Sequence, residues 1–262
     1  LAHEVFVGRE QEMDALRDQL EETLLSHGRT VTLLGEPGIG KTRITSEFAL
    51  YARLRGALVL TSHCHEGAGA PPFWPWVQLI RSYVTTQTTE LWRAEMGSGA
   101  VDIAQVVSDV RDRLPNTPTP PQVEPEQARF RFFDSITRFL RAAAKRQPLV
   151  LILDDLQWAD TPSLLLLQFL AQSLENSRLL LVSICREAEI QENSALSRTL
   201  AALARSAGSQ TLHLHGLSKR EVIRFIELTT GQAPSVDVAT GVFRQTEGHP
   251  FFMTEIVRLL TT

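Results

Sequence analysis

Five short apolar runs recur along the chain and alternate with stretches of helical periodicity. The runs are TVTLLG (30–35), GALVLTSHC (56–64), LVLILDD (149–155), RLLLVSIC (178–185) and QTLHLHG (210–216). Between them, apolar residues return at three- and four-residue spacing, as they do after Gly8. Continuous apolar strands that alternate with helices are typical of a parallel sheet covered on both faces. The pattern therefore predicts an α/β fold with a five-stranded parallel sheet flanked by helices over residues 1–215.

Two segments depart from this alternation. An aromatic-rich, proline-interrupted stretch predicts an insertion at about 71–123, whose last part, LPNTPTPPQVEP, is expected to be an extended loop. Its aromatic cluster FWPW (73–76) favours local packing over a partner surface or a stacking platform. Beyond Gly216 the strands cease and three short helical patterns follow, so residues 216–262 are predicted to form a small helical subdomain, which we expect to be truncated.

Composition narrows the classes of partner and location. The 262 residues carry a formal net charge of −4, which argues against sequence-independent binding of this segment to DNA or to an anionic membrane. We find no uncharged apolar run near the roughly 18 residues that span a bilayer, and no signal-peptide pattern. The two cysteines, each expected just beyond the end of a separate strand, are interpreted as free thiols. We therefore expect a cytoplasmic protein.

The segment GEPGIGKT (35–42) fits the phosphate-binding pattern G-x-x-x-x-G-K-[ST] and lies between a predicted strand and a predicted helix. Its glycines allow a tight turn that aims backbone N–H groups at phosphate oxygens, and the following helix adds the positive end of its dipole. A chance match in a chain of this length is on the order of one per cent. The segment is therefore interpreted as a Walker A loop, or P-loop.

The loop predicts ATP or ADP with Mg²⁺ as its ligand. Lys41 is expected to reach the β- and γ-phosphates and is a candidate catalytic residue, while Thr42 would give its hydroxyl to Mg²⁺. The candidate nucleotide-binding residues here are Gly35, Glu36, Pro37, Gly38, Ile39, Gly40, Lys41, Thr42 and Arg43.

A second motif is the run LVLILDD, an apolar strand that ends in two carboxylates. Asp154 is assigned to the Mg²⁺ shell, and Asp155 is assigned to orienting or deprotonating the attacking water. A solvated strand end or a helix N-cap is the alternative, and it would be preferred if the P-loop were absent. The combination of the two motifs favours the functional interpretation.

Taken together, the motifs resemble the STAND class of P-loop ATPases, in particular the ATPase modules of large LuxR-type transcriptional regulators and related bacterial signalling proteins. The resemblance covers nearly the whole chain. It rests on FVGRE (6–10), GEPGIGKT, LDDLQWAD (153–160), SICRE (183–187) and GHPFFMTE (248–255), which follow the family's order and spacing. It also implies a sheet with one strand between the P-loop strand and the strand that ends at Asp154.

The resemblance assigns further nucleotide contacts. It implies that Val7 and Arg9 lie against the base, that Arg186 senses the γ-phosphate and is a candidate catalytic residue, and that His249 and Pro250 approach the phosphates and the adenine from the helical subdomain. The alternatives are a helix-start turn in FVGRE, a surface pair of Arg186 with a glutamate at 187 or 189, and a plain turn at GHP.

The expected function is an ATP-binding, slowly hydrolysing switch module of a multidomain signalling or transcriptional regulator. Slow turnover is expected because Asp155 stands where many fast ATPases have a glutamate, and because no arginine finger is identifiable. Expected partners are the nucleotide, other domains of the same longer chain and, in a nucleotide-dependent way, further copies of it. The alternative is a nucleotide-holding assembly module with negligible turnover. A GTPase or small-molecule kinase is disfavoured because no NKxD-type element is found.

Overall fold

The computed structural model describes residues 5–67, 69–114 and 123–261, which are organised around one sheet of five parallel strands. The strands are β1 (Arg29–Gly35), β2 (Leu58–His63), β3 (Leu149–Asp154), β4 (Leu179–Arg186) and β5 (Ser209–Leu214). They lie in the order β2-β3-β4-β1-β5, and every neighbouring pair is parallel. The predicted five-stranded parallel sheet is confirmed, and β4 lies between β1 and β3 as the resemblance implied.

Burial explains why the strands read as apolar runs. All six residues of β3 are buried, as are nearly all those of β1 and β4, whereas the edge strands β2 and β5 also have exposed positions. Because all strands are parallel, their carboxyl ends meet at one edge of the sheet. The register places Gly35 opposite Arg186 and His63 opposite Asp154 at that edge.

Helices cover both faces of the sheet. The described helices are α1 (Glu10–Leu24), α2 (Lys41–Leu54), α3 (Trp74–Thr86), α4 (Thr89–Met96), α5 (Ala100–Ala104), α6 (Ser108–Asp112), α7 (Pro125–Arg146), α8 (Thr161–Ala171), α9 (Glu187–Glu192), α10 (Ser194–Ala204), α11 (Lys219–Thr230), α12 (Val236–Thr246) and α13 (Pro250–Thr261). Helices α1 and α2 pack on one face through residues such as Leu16 and Phe48. Helices α3 to α8 and α10 form a larger core on the opposite face.

The stretch predicted as an insertion, about 71–123, contains α3 to α6 and packs into this larger core. Trp76 and Trp92 are fully buried, and Trp76 Nε1 donates to the Ser163 carbonyl at 3.1 Å. Phe73 packs edge-on against Phe132, with ring centroids 4.8 Å apart. The aromatic cluster therefore packs locally. Most of the proline-rich run lies outside the described residues, and Pro125 is the first residue of α7.

The last three helices form a separate small core beyond β5. Helix α11 begins with a capping box in which Ser218 and Glu221 satisfy each other's backbone N–H groups. Val222, Met253 and Val257 are buried in this core, against which Val5 and Val7 also pack. The N-terminal segment is therefore held by the helical subdomain as well as by the sheet domain. The boundary at 215/216 stays a prediction.

Both cysteines are buried and unbridged. Cys64 follows β2, as expected, but Cys185 lies within β4, so its predicted position beyond the strand end is wrong. The strand extends one residue further because Arg186 pairs with Gly35 in the ladder. None of the helices within the described ranges is long and apolar enough to cross a membrane.

The turn before α13 generates a prediction about the subdomain. Gly248 has φ +76°, and a Cβ built there would lie 1.9 Å from the Leu217 carbonyl oxygen. We expect Gly248→Ala to destabilise the subdomain by roughly 2 kcal/mol or more, because it adds a backbone clash to left-handed strain. Thermal unfolding and hydrogen exchange over α11 to α13 measure the effect.

Gly231→Ala is the matched control. Gly231 has φ +75°, but no described atom lies within 4 Å of its built Cβ. This variant should cost about 1–2 kcal/mol, the strain alone. Equal losses in the two variants would contradict the assigned role of the close approach to Leu217.

Candidate functional site

The P-loop joins β1 to α2 at the carboxyl edge of the sheet. Gly35 ends β1, Gly40 caps α2 in a left-handed conformation (φ 101°), and Lys41 is the first residue of the helix. Gly38 also has positive φ, and a Cβ there would lie 2.9 Å from Phe251 Cβ and 3.0 Å from His249 Cε1. Glycine at 38 therefore lets the helical subdomain approach the loop.

The Lys41 ammonium is held inside the loop. Its Nζ donates to the carbonyl oxygens of Gly35 and Glu36, both at 2.8 Å, and the residue is buried. Burial lowers the pKa of Lys41, while the carboxylates of Asp154 and Asp155 act in the opposite direction. The amine is thus a desolvated donor satisfied by carbonyls that an anionic phosphate oxygen could replace.

Thr42 and Asp154, the two residues predicted to hold Mg²⁺, lie close together at the sheet edge. Thr42 Oγ1 donates to Asp154 Oδ2 at 3.4 Å, and the Asp155 N–H donates to Asp154 Oδ1 at 2.9 Å. Asp154 is only 5% exposed. Its pKa is raised mainly by burial and, to a smaller extent, by the negative charge of the nearby Asp155. His63 and Thr42 compensate its negative charge in part.

These residues fit Mg²⁺. Asp154 is a buried carboxylate whose surroundings favour an added positive charge, and Thr42 offers a hydroxyl oxygen beside it. Among the described residues, no group of three or more His, Cys, Asp or Glu side chains is placed to hold a metal. That is compatible with Mg²⁺, which takes one or two protein ligands together with phosphate oxygens and water.

Asp155 stands beside Asp154 in a left-handed conformation, with φ 56°. Its Oδ1 accepts a hydrogen bond from Gln157 Nε2 at 2.6 Å and lies 3.9 Å from Arg186 Nε. Arg186 also lies 3.9 Å from Glu189, and its guanidinium stands over the Trp158 ring at 5.9 Å. The predicted surface pair with Glu189 and the proximity to Asp155 therefore coexist.

An apolar cavity of about 260 Å³ lies beside the P-loop. Its walls come from the N-terminal segment, the loop and the helical subdomain, and they include Val7, Ile39, Leu217, Phe225, Pro250 and Phe251. This volume is close to the lower end of the roughly 300–1,000 Å³ seen for ligand sites. It suits a planar base with the phosphates outside, along the loop.

Arg9 lines this cavity but is tied to backbone carbonyls. It is 7% exposed, and its Nη2 donates to the carbonyls of Ile39 at 3.0 Å and His215 at 2.5 Å. Its Nη1 pairs with Glu12 at 3.1 Å. Arg9 thus fastens the N-terminal segment to the P-loop and shapes the cavity wall.

His249 reaches the P-loop from the subdomain. Its Nε2 lies 3.0 Å from the Pro37 carbonyl, and since a carbonyl can only accept, Nε2 carries the proton. Nε2 is also 4.0 Å from the Glu36 carboxylate. Nδ1 is buried and has no hydrogen-bond partner among the described residues. The next residue, Pro250, lines the cavity. Arg43 also lines it and pairs with Glu47 at 2.7 Å.

Two site residues were not assigned from the sequence. The first is His63, whose Nδ1 lies 3.5 Å from Asp154 Oδ2. Gln157 is buried between Asp155 and β4. The position of His63 follows from the β2–β3 register, which a single sequence does not specify. Gln157 does lie in the quoted LDDLQWAD segment, and its place two residues after Asp155 was the available signal.

Comparison with known proteins gives a family match and several likenesses. The sequence pattern of the AAA ATPase domain matches residues 5–182. An uncharacterized protein, R02095 of Rhizobium meliloti (strain 1021), is 24% identical over 199 residues, which cover 71% of this chain and 19% of that protein. The chain therefore spans about a fifth of the length of this curated relative.

Solved structures share the fold. Cdc6p from Pyrobaculum aerophilum superposes with a TM-score of 0.55 at 15% identity, over 95% of this chain and 60% of that one. A Signal Transduction ATPase with Numerous Domains protein with a tetratricopeptide repeat sensor, PH0952 from Pyrococcus horikoshii, gives 0.55 at 16% identity, over 94% and 29%. At these identities the likeness concerns the fold alone.

The raised pKa of Asp154 generates a prediction about stability and pH. The pKa of Asp154 is higher in the folded chain than its ordinary value of 3.8. The folded chain therefore becomes less stable relative to the unfolded chain as pH rises through the folded-state pKa, because the buried carboxyl must then give up its proton. We therefore expect Asp154→Asn to raise the melting temperature of the nucleotide-free protein at neutral pH by about 2–4 °C, equivalent to about 1 kcal/mol. The gain should shrink as pH falls through the folded-state pKa and vanish below 3.8, where the folded and unfolded chains both bind the proton.

The same variant should lose the Mg²⁺-dependent part of nucleotide stabilisation. Melting curves with nucleotide plus EDTA and with nucleotide plus Mg²⁺ separate the two contributions. A nucleotide-free Asp154→Asn protein less stable than wild type at neutral pH would contradict the electrostatic assignment. An unchanged Mg²⁺ response would contradict the metal assignment.

Proposed function

The chain belongs to the AAA ATPase domain family, and from that premise we propose that it is an ATP-binding, slowly hydrolysing switch module of a multidomain signalling or transcriptional regulator. The observation that carries this proposal is the contact between His249 of the subdomain and the Pro37 carbonyl of the P-loop at 3.0 Å. The cavity proposed for the base is lined by the P-loop and by the helical subdomain. One bound nucleotide would therefore contact the sheet domain and the subdomain at once.

Nucleotide binding would begin with an exchange of partners at the P-loop. Backbone N–H groups of the loop and of the first turn of α2 would donate to phosphate oxygens. Lys41 would move its hydrogen bonds from the Gly35 and Glu36 carbonyls to the β- and γ-phosphates. Val7, Ile39 and Pro250 would enclose the base.

Thr42 and Asp154 would hold Mg²⁺ through the hydroxyl and the carboxylate that already face each other. The ion, when bound, neutralises negative charge on the phosphates. Asp155 would orient the attacking water and accept its proton with the oxygen that Gln157 leaves free. Arg186 would turn from Asp155 and Glu189 towards the γ-phosphate.

The switch would use the γ-phosphate, which ATP has and ADP lacks, as it is sensed by Arg186 and His249. Arg186 and His249 lie on different bodies, and both can respond to an added or lost γ-phosphate. Turnover would be slow because the aspartate at 155 is shorter than the usual glutamate. The alternative is a module that holds nucleotide for assembly without turning it over.

Output would come from other domains of the same polypeptide. The chain spans 19% of R02095 and 29% of PH0952, and PH0952 is described as carrying a tetratricopeptide repeat sensor. By analogy, we propose that this module works with other domains of the same longer chain in a cytoplasmic protein. Self-association that depends on nucleotide and the absence of direct DNA contact by this segment are part of the proposal.

Two substitutions test the enzymatic part. Lys41→Ala should weaken ATP binding by roughly 100-fold or more because it removes a charge-assisted donor to phosphate. Asp155→Asn should keep ATP affinity but lower phosphate release by roughly 100-fold, as expected when a general base is lost. Equilibrium binding with Mg²⁺ and a phosphate-release assay measure both effects.

Asp160→Asn is the matched control, because Asp160 caps α8 through Ser163 and the same chemical change there should leave turnover intact. Wild-type affinity in a folded Lys41→Ala protein would remove the basis of the nucleotide site. Slow turnover that Asp155→Asn does not change would favour the holding module.

A third substitution tests the switch itself. ATP should protect α11 to α13 from hydrogen exchange more than ADP does, and His249→Ala should abolish this difference because it cuts the contact with Pro37. The expected loss of coupling is about 1–2 kcal/mol, roughly 5–30-fold in the ATP to ADP affinity ratio. His213→Ala, at an exposed histidine of β5, is the control. Equal protection by ATP and ADP in the wild type would contradict a switch.

A further inference from the structure

A buried amide connects the carboxylate assigned to water activation with the backbone at the end of β4, where Arg186 lies. Gln157 is 5% exposed. Its Nε2 donates to Asp155 Oδ1 at 2.6 Å, and its Oε1 accepts the Arg186 backbone N–H at 3.2 Å. One planar side-chain amide thus spans the carboxyl ends of β3 and β4.

The local fold fixes this amide in place. Residues 156–158 form one 3₁₀ turn directly after Asp155, whose φ of 56° turns the chain back towards β4. The Gln157 carbonyl also accepts from Asn193 Nδ2 at 3.4 Å. Since both ends of the side-chain amide are bonded and the residue is buried, Gln157 has little freedom to choose other partners.

The chemistry of the amide suits a bridge between the Asp155 carboxylate and the last backbone N–H of β4. The donor end contacts Oδ1 of Asp155, which leaves Oδ2 for a water molecule, and the acceptor end satisfies the last N–H of β4, next to the Arg186 side chain. A carboxylate in place of the amide would accept from Arg186 but could not donate to Asp155. The bridge therefore requires an amide.

We propose that Gln157 is a positioning residue that ties Asp155 to the end of β4, so that the strand holds the water-orienting carboxylate in its alignment. This inference rests on the proposed function, in which Asp155 acts on water. Gln157 itself does not contact the reacting atoms; it acts through the orientation of Asp155 and the backbone of Arg186.

Two substitutions separate the two ends of the bridge. Gln157→Glu keeps the size and the acceptor for the Arg186 N–H but replaces the donor to Asp155 with a like charge. Gln157→Leu removes both hydrogen bonds. We expect each to lower kcat for ATP by roughly ten- to a hundredfold through misplacement of Asp155, with ATP affinity little changed. Gln168→Glu, on α8 and bonded to Thr199, is the matched control and should leave kcat unchanged.

A readout independent of turnover is hydrogen exchange at the Arg186 amide in the nucleotide-free protein. Exchange should accelerate in Gln157→Leu and stay slow in Gln157→Glu, because only the leucine lacks an acceptor. If Arg186 exchanges at the wild-type rate in a folded Gln157→Leu protein, the bridge to β4 is refuted.

The double variant Asp155→Asn/Gln157→Glu decides whether Gln157 acts through Asp155. Because Asp155→Asn already removes the group being positioned, the second substitution should lower kcat no further. Additive losses would overturn the proposal and assign Gln157 a general structural role. If Asp155→Asn alone leaves turnover unchanged, the proposed function fails; if it lowers turnover but Gln157→Glu does not, only this inference fails.

Discussion

Burial of the Lys41 ammonium at the carboxyl edge of the sheet is the constraint on which the rest of the site depends. Its hydrogen bonds go to two neutral carbonyls, and burial lowers its pKa, so it relies on Asp154 and Asp155 for negative charge at longer range. A buried cation without such partners is costly. The strand order brings these carboxylates near Lys41, because only one strand, β4, lies between the P-loop strand β1 and the carboxylate-bearing strand β3.

The carboxylates of Asp154 and Asp155 also repel each other. The site is therefore a compromise between stability of the nucleotide-free fold and the negative charge proposed for metal binding. Burial and the adjacent Asp155 raise the pKa of Asp154, and the partial compensation by His63 comes from a half-exposed side chain. The buried Asp154 carboxylate, with Asp155 beside it, weakens the nucleotide-free fold. A divalent cation that arrived with the nucleotide would offset the negative charge of the two carboxylates. In the proposed function, nucleotide binding would therefore stabilise the fold.

The sheet, its flanking helices and the two chemical motifs could be predicted because each follows from local pattern. Apolar runs and helical periodicity predicted the strands, and GEPGIGKT and LVLILDD predicted the meeting of Thr42 with Asp154. Contacts that depend on register or on left-handed backbone could not be derived: His63 against Asp154 and Arg9 against two backbone carbonyls are examples. From the sequence, Arg186 could be either a γ-phosphate sensor or part of a surface ion pair with a glutamate at 187 or 189. In the structure Glu187 lies 3.4 Å from His213 instead.

The cavity beside the P-loop is the part of the proposed switch that would link base binding to the position of the subdomain. Its walls belong to segments distant along the chain: Val7 before α1, Ile39 in the loop and Phe251 in α13. Gly38 lets α13 approach until His249 contacts Pro37, and any side chain at 38 would hold the subdomain away. A base filling this cavity would bury apolar surface from all three segments together. In the proposed switch, affinity for the base would therefore depend on the position of the subdomain, and the position of the subdomain on the bound base.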